Sequence, residues 1–176
     1  EGIWARVLTP YAGNNYGIQF LPETGDEVLL GFLNADPNQA IVLGSMFSSG
    51  KPAPVSFSDD NYKKNLTGVS GIKIEFDDEK KSITIGSPAG KSMEINEDSG
   101  SVTIQDEHNN KIEMTSNGIT ISSDKDITFN ASGDITIGGA NVSVKADSSL
   151  TAKGTGSAEI SSSGNTVVKG SLVQIN

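Results

Sequence analysis

The chain has 176 residues with a formal net charge of -9, and hydrophobic residues make up 35% of it. So small a hydrophobic share fits either a disordered chain or an elongated object whose core other chains complete. An acidic chain is a poor candidate for sequence-independent nucleic-acid binding or for docking onto anionic lipid, which both need cationic surface. It has no cysteine, which excludes disulfides and thiolate metal sites.

From the N-terminus, residues 1–50 contain many large apolar side chains, which occur in short runs. Clusters of Gly, Asn, Asp and Pro separate these runs and predict tight turns. Several short strands joined by such turns are typical of a small all-β barrel. The predicted strands are Val7–Leu8, Tyr16–Leu21, Glu27–Leu33 and Ala40–Phe47.

A polar, irregular stretch follows at residues 51–71. It contains Pro52 and Pro54 and the charged pairs Asp59-Asp60 and Lys63-Lys64. This composition predicts a linker.

From residue 72 to residue 176 a short motif recurs, in which two apolar residues flank one residue that is usually Thr. The motif starts with Ile83 and Ile85 and repeats first every nine to eleven residues, then every seven or eight from Ile119 onward. A period of two puts both apolar side chains on one face of a strand. The side chains predicted to form the core of the later repeats are Ile119, Ile121, Ile127, Phe129, Ile135, Ile137, Val142 and Val144.

Many very short strands, each followed by a bend, predict a β-solenoid over residues 72–176. The apolar residues never keep helical spacing, and Ser, Gly, Asn and Thr fill the gaps. Three units of about eight residues could form one coil of a single chain, or three chains could wind around one axis. Small inward residues such as Ala152 and Ala158, and the lack of long loops, favour three chains, but the pattern alone leaves both arrangements open.

Several runs of the chain resemble a known family, the VgrG/Vgr spike proteins of type VI secretion systems and related phage-tail-like injectors. The resemblance rests on Pro10–Gly17, Leu21–Val28, Gly31–Pro37 and Val42–Ser45 for the barrel, on Gly71–Asp78 for the start of a shaft, and on Val167–Asn176 for its end. It implies an OB-type β-barrel at residues 1–50, a linker at 51–71, and at 72–176 an intertwined trimeric β-helix, or triangular β-prism. The resemblance therefore also implies that the chain forms a homotrimer.

The same resemblance implies a function that is mechanical rather than enzymatic. The trimer would be the membrane-puncturing spike of a contractile injection machine, assembled in the bacterial cytoplasm and then injected into a target cell. It would touch the target membrane only mechanically and would join the tube protein through an N-terminal hub. That hub is not in this sequence, and the chain begins at Glu1 without Met, so we expect a piece of a longer protein.

The C-terminal strand is expected to bind a partner. Its apolar side chains follow the last charged residue, Lys169, and unpaired strand edges recruit other strands. By resemblance to the family, the partner is a PAAR-repeat tip protein that carries effectors, added by strand augmentation. The residues of this predicted tip are Leu172, Val173, Gln174, Ile175 and Asn176.

The sequence contains no strong candidate for a catalytic or metal-binding site, and no cofactor is expected. His108 is the only histidine and lies in a polar turn, which cannot supply a zinc site within one chain. The acidic runs Asp59-Asp60 and Asp77-Asp78-Glu79 are interpreted as solvated turns.

A glycan-binding or glycan-cleaving tailspike or adhesin is the alternative function. Such a shaft should carry grouped aromatic and acidic side chains, yet Phe129 is the only aromatic residue after Phe76.

Overall fold

The computed structural model describes residues 2–175, and nearly all regular secondary structure in this part of the chain is β-strand. Its only helical element is a short 3-10 turn at Leu33–Ala35. The prediction of an all-β chain is confirmed. The chain divides between Thr128 and Phe129 into two compact units.

The N-terminal region contains a three-stranded sheet and a small hairpin. In the sheet, β5 (Ala40–Ser45) lies between β1 (Ala5–Val7), to which it is parallel, and β4 (Val28–Phe32), to which it is antiparallel. The hairpin pairs β2 (Ala12–Gly13) with β3 (Tyr16–Gly17). Each predicted strand of this region overlaps an observed one, because apolar runs bounded by turn residues are a strong local signal.

The core of this N-terminal region is small. Only Ala40 and Val42 are buried apolar residues among those described, and both belong to the central strand. Large side chains such as Trp4, Phe20 and Phe47 are exposed, with Trp4 97% accessible. A single copy of this region therefore leaves most of its large apolar surface uncovered.

The second architectural element is a seven-stranded antiparallel meander, in which each strand pairs with the next along the chain. Every strand has five residues and every connection has two to five. We call this element the meander sheet; its strands are β6 (Lys63–Thr67), β7 (Lys73–Asp77), β8 (Ser82–Gly86), β9 (Ser92–Asn96), β10 (Ser101–Gln105), β11 (Lys111–Thr115) and β12 (Gly118–Ser122).

The meander sheet begins earlier than the sequence indicated. β6 lies inside the segment predicted as a linker, yet it pairs with β7 along its whole length, from Lys63 opposite Asp77 to Thr67 opposite Lys73. β6 has one apolar residue, Leu66, which is too little for a period of two to be recognised. The sequence feature that could have indicated β6 is the distance of eight residues from Leu66 to Ile74, which equals the spacing of the motifs at Ile119, Ile127 and Ile135.

The turns of the meander sheet repeat with the strands. At one end of the sheet, three five-residue connections each contain a residue with left-handed backbone conformation: Gly71 (φ 80), Gly90 (φ 94) and Asn109 (φ 62). The numbers 71, 90 and 109 show a spacing of 19 residues, which is one pair of strands with its two turns. Gly and Asn adopt this conformation at the lowest cost, so these positions fix where the chain reverses.

Residues 123–175, the remainder of the described chain, form no regular strand, and nearly all of them are exposed. The β-helix predicted for residues 72–176 is therefore not what one chain shows: residues 73–122 form an antiparallel sheet and residues 123–175 form no strand. The intertwined prism stays a prediction.

Candidate assembly surface

One face of the meander sheet is apolar across all seven strands. The strand register puts the two apolar residues of each motif directly opposite those of the neighbouring strands, for example Ile104 opposite Met93 and Ile112. Partners across an antiparallel ladder point to the same side of the sheet. We call this face the apolar stripe; it consists of Leu66, Ile74, Phe76, Ile83, Ile85, Met93, Ile95, Val102, Ile104, Ile112, Met114, Ile119 and Ile121.

The apolar stripe is uncovered. Phe76 exposes 45% of its surface, Ile104 38% and Ile119 70%. None of these side chains is fully buried, although residues of these types are usually found inside proteins. A continuous apolar surface of this kind marks an interaction site.

The opposite face of the meander sheet is polar and better covered. Its central row alternates between carboxylates and hydroxyls, with Glu75, Glu94 and Glu113 separated by Thr84 and Thr103. The alternation keeps like charges two strands apart, and like charges directly opposite one another would destabilise the sheet. The sequence correctly predicted that the residue between two apolar ones lies on the other face.

Lysine side chains lie over this polar face and pair with the carboxylates. Lys73 Nζ is 2.8 Å from Glu75 Oε2 and Lys63 Nζ is 3.3 Å from Glu75 Oε1. The hydrogen bond from Lys73, followed by the one from Lys63, lowers the pKa of the Glu75 carboxyl. Farther along the row, Lys111 Nζ is 2.7 Å from Glu113 Oε1.

Asp77 corrects one expectation. It was interpreted as part of a solvated turn, but it is the last residue of β7 and only 5% exposed. Its Oδ1 accepts a hydrogen bond from the backbone N–H of Lys80 at 3.1 Å, and Lys63 Nζ lies 3.5 Å from Oδ2. These two contacts lower the pKa of Asp77. Asp77 therefore closes the turn between β7 and β8 and is a structural residue.

His108 lies where the sequence predicted, in the turn from 106 to 110. Asp106 organises this turn: its Oδ1 accepts from the backbone N–H groups of His108 at 2.8 Å and Asn110 at 3.0 Å. The side-chain amide of Asn110 also donates to Asp106, and this contact, followed by the His108 N–H, lowers the pKa of the Asp106 carboxyl. His108 itself is largely exposed, with its Nε2 3.8 Å from Glu107 Oε1.

The predicted core residues fall into two groups. Ile119 and Ile121 lie on β12 within the apolar stripe, opposite Met114 and Ile112. The others are exposed and lie outside any strand, so the structure does not bring them together: Ile127, Phe129, Ile135, Ile137, Val142 and Val144.

The predicted tip residues Leu172, Val173, Gln174 and Ile175 are exposed. Leu172 and Ile175 expose 82% and 91% of their surface. Asn176, the fifth predicted tip residue, lies outside the described residues.

Two features are absent from residues 2–175. No helix in this range is long and apolar enough to cross a membrane. Nor does the range place three or more His, Asp or Glu side chains where they would hold a metal ion.

Comparison with known proteins identifies the N-terminal region. Residues 1–47 match the type VI secretion system/phage-baseplate injector OB domain. Spike protein VgrG3 of type VI secretion in Vibrio cholerae is 38% identical over 63 residues, which is 36% of this chain and 6% of that protein. Spike protein VgrG4b of Pseudomonas aeruginosa is 43% identical over 51 residues, 29% of this chain and 6% of the relative.

A third relative has a different description. The actin cross-linking toxin VgrG1 of Vibrio cholerae is 35% identical over 63 residues, again 36% of this chain and 6% of the relative. The matched segments thus span only a small part of these relatives' own length. The resemblance inferred from the sequence is confirmed: the chain is similar to VgrG spike proteins and carries, at residues 1–47, the type VI secretion system/phage-baseplate injector OB domain.

Proposed function

We propose that three copies of this chain assemble into a rigid, non-enzymatic spike segment of a contractile injection machine, with their apolar stripes facing a common axis. The observation that carries the proposal is the apolar stripe, which one chain leaves exposed across seven strands. The match of residues 1–47 to the injector OB domain supports a role in such a machine.

A second copy of the chain is the partner that fits this surface best. The stripe has no charged residue on β7 through β12, so its complement must also be apolar. The polar face carries the ion pairs and does not need a cover. Each stripe is only two side chains wide, and three such narrow faces enclose a prism that these side chains can fill.

The magnitude of this burial is large enough to hold a shaft together. Moving an Ile or Val side chain from water into an apolar interior contributes roughly 1.5–3 kcal/mol. The stripe is about half exposed in one chain, so a smaller but still substantial gain per side chain is left for assembly. Repeated over the stripes of three chains, it offsets the entropy lost when the chains associate.

Within this proposal the chain acts mechanically. The spike sits at the front of a tube, is assembled in the bacterial cytoplasm, and is pushed with the tube into a target cell. The tube joins through a hub that precedes this segment. Leu172–Asn176 bind a PAAR-repeat tip protein with its effectors, and the large exposed side chains of Leu172 and Ile175 support this role.

Light scattering on the purified chain tests the assembly directly. We expect three times the chain mass of 18.3 kDa. Two stripes packed face to face would instead give a dimer, as in a β-sandwich. A monomer or dimer mass at micromolar concentration would contradict the proposal.

A matched pair of variants connects the mass to the stripe. Ile104→Asp places a carboxylate in the centre of the stripe and should abolish the trimer, because an unpaired charge is costly in an apolar interior. Gln105→Asp makes a carboxylate on the polar face of the same strand, opposite Lys111, and should leave the trimer intact. Equal masses for the two variants would show that the stripe is not the interface. A glycan array on the unmodified chain, with turnover of any bound glycan, tests the alternative function.

A further inference from the structure

The later apolar motifs repeat so regularly that they specify their pairing weakly. Ile-Thr-Ile, Ile-Thr-Phe and Ile-Thr-Ile begin at Ile119, Ile127 and Ile135, which are eight residues apart (127 − 119 = 135 − 127 = 8). If one copy were shifted by a whole repeat against its neighbours, it would still present an apolar pair at each inward position. Strands of this kind are prone to alternative registers.

The meander sheet does not have this ambiguity. Connections of two to five residues tie each strand to the next, so the pairing within one chain cannot slip by a strand. Ion pairs at the polar face and the turns, such as Lys81 with Asp98 at 2.9 Å, add to this fixed register. The strands also differ in their stripe residues, which include Phe76, Met93 and Met114.

A charged side chain, that of Lys64, lies at one end of the apolar stripe. Lys64 of β6 lies opposite Phe76 and therefore on the face of the stripe. Its ammonium group pairs with Asp78, and the side chain is 47% exposed. If the stripes of two copies slid along each other toward β6, the apolar residues of one copy would cover this lysine. Taking this exposed ion pair out of water is unfavourable, so Lys64 resists that movement.

We propose that the meander sheet is the element that sets the register between copies of this chain. In this proposal Lys64 prevents the copies from sliding along each other toward β6. The stripes of the copies align first at a unique position, and the eight-residue repeats beyond β12 then pair in the register that this alignment dictates. This inference rests on the proposed trimer. It assigns a separate task to the sheet, which a shaft of uniform repeats could not perform.

Distances between copies of the full chain test this proposal. The natural sequence has no cysteine, so a single Thr136→Cys change gives one spin-label position per copy without interference. In an aligned trimer, pulsed electron resonance should give one narrow distance between labels. A copy shifted by one repeat moves its label by at least one strand spacing, about 4.8 Å, and adds further distances.

Three changes in the Thr136→Cys chain separate the possible sources of register. Phe129→Ile makes the three repeats identical, and we expect the single distance to remain, because the meander sheet still aligns the copies. Lys64→Ile makes this position of β6 apolar and removes the charge that resists sliding, so we expect additional distances between the labels. Thr67→Ile, which puts the same new residue on the polar face of the same strand, should keep one distance.

The outcomes separate this inference from the proposed function. A labelled chain with monomer or dimer mass in light scattering contradicts the trimer itself. A trimer mass with several distances for Phe129→Ile would show that the repeats set their own register and would overturn the inference. A single distance for Lys64→Ile, or equal broadening for Thr67→Ile and Lys64→Ile, would also overturn it.

Discussion

The meander sheet and residues 129–175 contain the same apolar motif, but only the meander sheet pairs its strands within one chain. In the sheet, Ile83-Thr84-Ile85 is hydrogen-bonded on both sides, to β7 and β9. In the second region, Ile135-Thr136-Ile137 has the same three residue types but lies in no strand, with Ile135 56% exposed. The motif therefore determines which face of a strand is apolar, while residues outside the motif determine whether and where the strand pairs.

The connections explain the difference between the two regions. The five longer turns of the sheet each contain a residue in the left-handed conformation: Gly71, Lys81, Gly90, Gly100 and Asn109. After β12, residues 123–126, Ser-Asp-Lys-Asp, separate the sheet from the next motif. None of these four residues has a positive φ, so the chain does not make a turn of the same kind there. The meander sheet therefore ends where the chain no longer has left-handed turn residues between its motifs.

The largest effect should come from breaking the region that depends on other copies. Ile135→Asp would bring carboxylates together in the apolar interior of the proposed prism, at a cost of several kcal/mol per site. Thr136→Asp, on the outward side, should change the melting temperature little. Thermal unfolding followed by circular dichroism compares them. Equal melting temperatures would show that Ile135 does not face inward.

A smaller effect should come from the turns that close the meander sheet. Gly90 has φ 94, so Gly90→Ala forces a side chain into the left-handed region and should destabilise the chain by about 1–2 kcal/mol. Gly86→Ala is the matched control, because Gly86 lies within β8 and an added Cβ would meet only ordinary contacts, the nearest at 3.6 Å. Urea unfolding measures both variants. A control that lost as much stability as Gly90→Ala would contradict the role of the turn.

Acid should weaken the meander sheet through its ion pairs. The folded-state pKa of Glu75 is lowered by Lys73 and Lys63, so its contribution to stability is present above its ordinary value of 4.5 and is lost as the pH falls through the folded value. Glu75→Gln removes this contribution and should flatten the dependence of the melting temperature on pH below that value. The pairs are partly exposed, so salt should reduce the same effect. An unchanged pH dependence in Glu75→Gln would show that the pair contributes nothing.

The smallest effect on stability, but a large one on binding, is expected at the predicted tip. Leu172→Ser with Ile175→Ser should leave the melting temperature and trimer mass unchanged, because these side chains are exposed in the chain. The same change should abolish capture of a PAAR-repeat protein in a pull-down assay. Ser171→Ala is a neighbouring control that should retain capture. Undiminished capture by the double variant would place the partner elsewhere.

The sequence by itself determined the fold class, and it determined the strands β7 to β12 with their faces. The period of two put Ile83 and Ile85 on one side of a strand and Thr84 on the other, as the register of β8 with its neighbours shows. The runs around Tyr16, Val28 and Ala40 gave both the N-terminal strands and the family resemblance. These features depend on neighbouring residues in the chain, so local patterns are sufficient to find them.

Only the tertiary structure decided how strands pair and which charges are buried. β6 was missed because its partner β7, rather than its own composition, makes it a strand. Asp77 was placed in solvent because its contact with Lys63 depends on that pairing. The antiparallel pairing of residues 73–122 likewise follows from turn geometry at Gly71, Gly90 and Asn109, which apolar periodicity does not report. Burial and pairing depend on the residues that pack together in space, and a local pattern contains only the residues that follow one another.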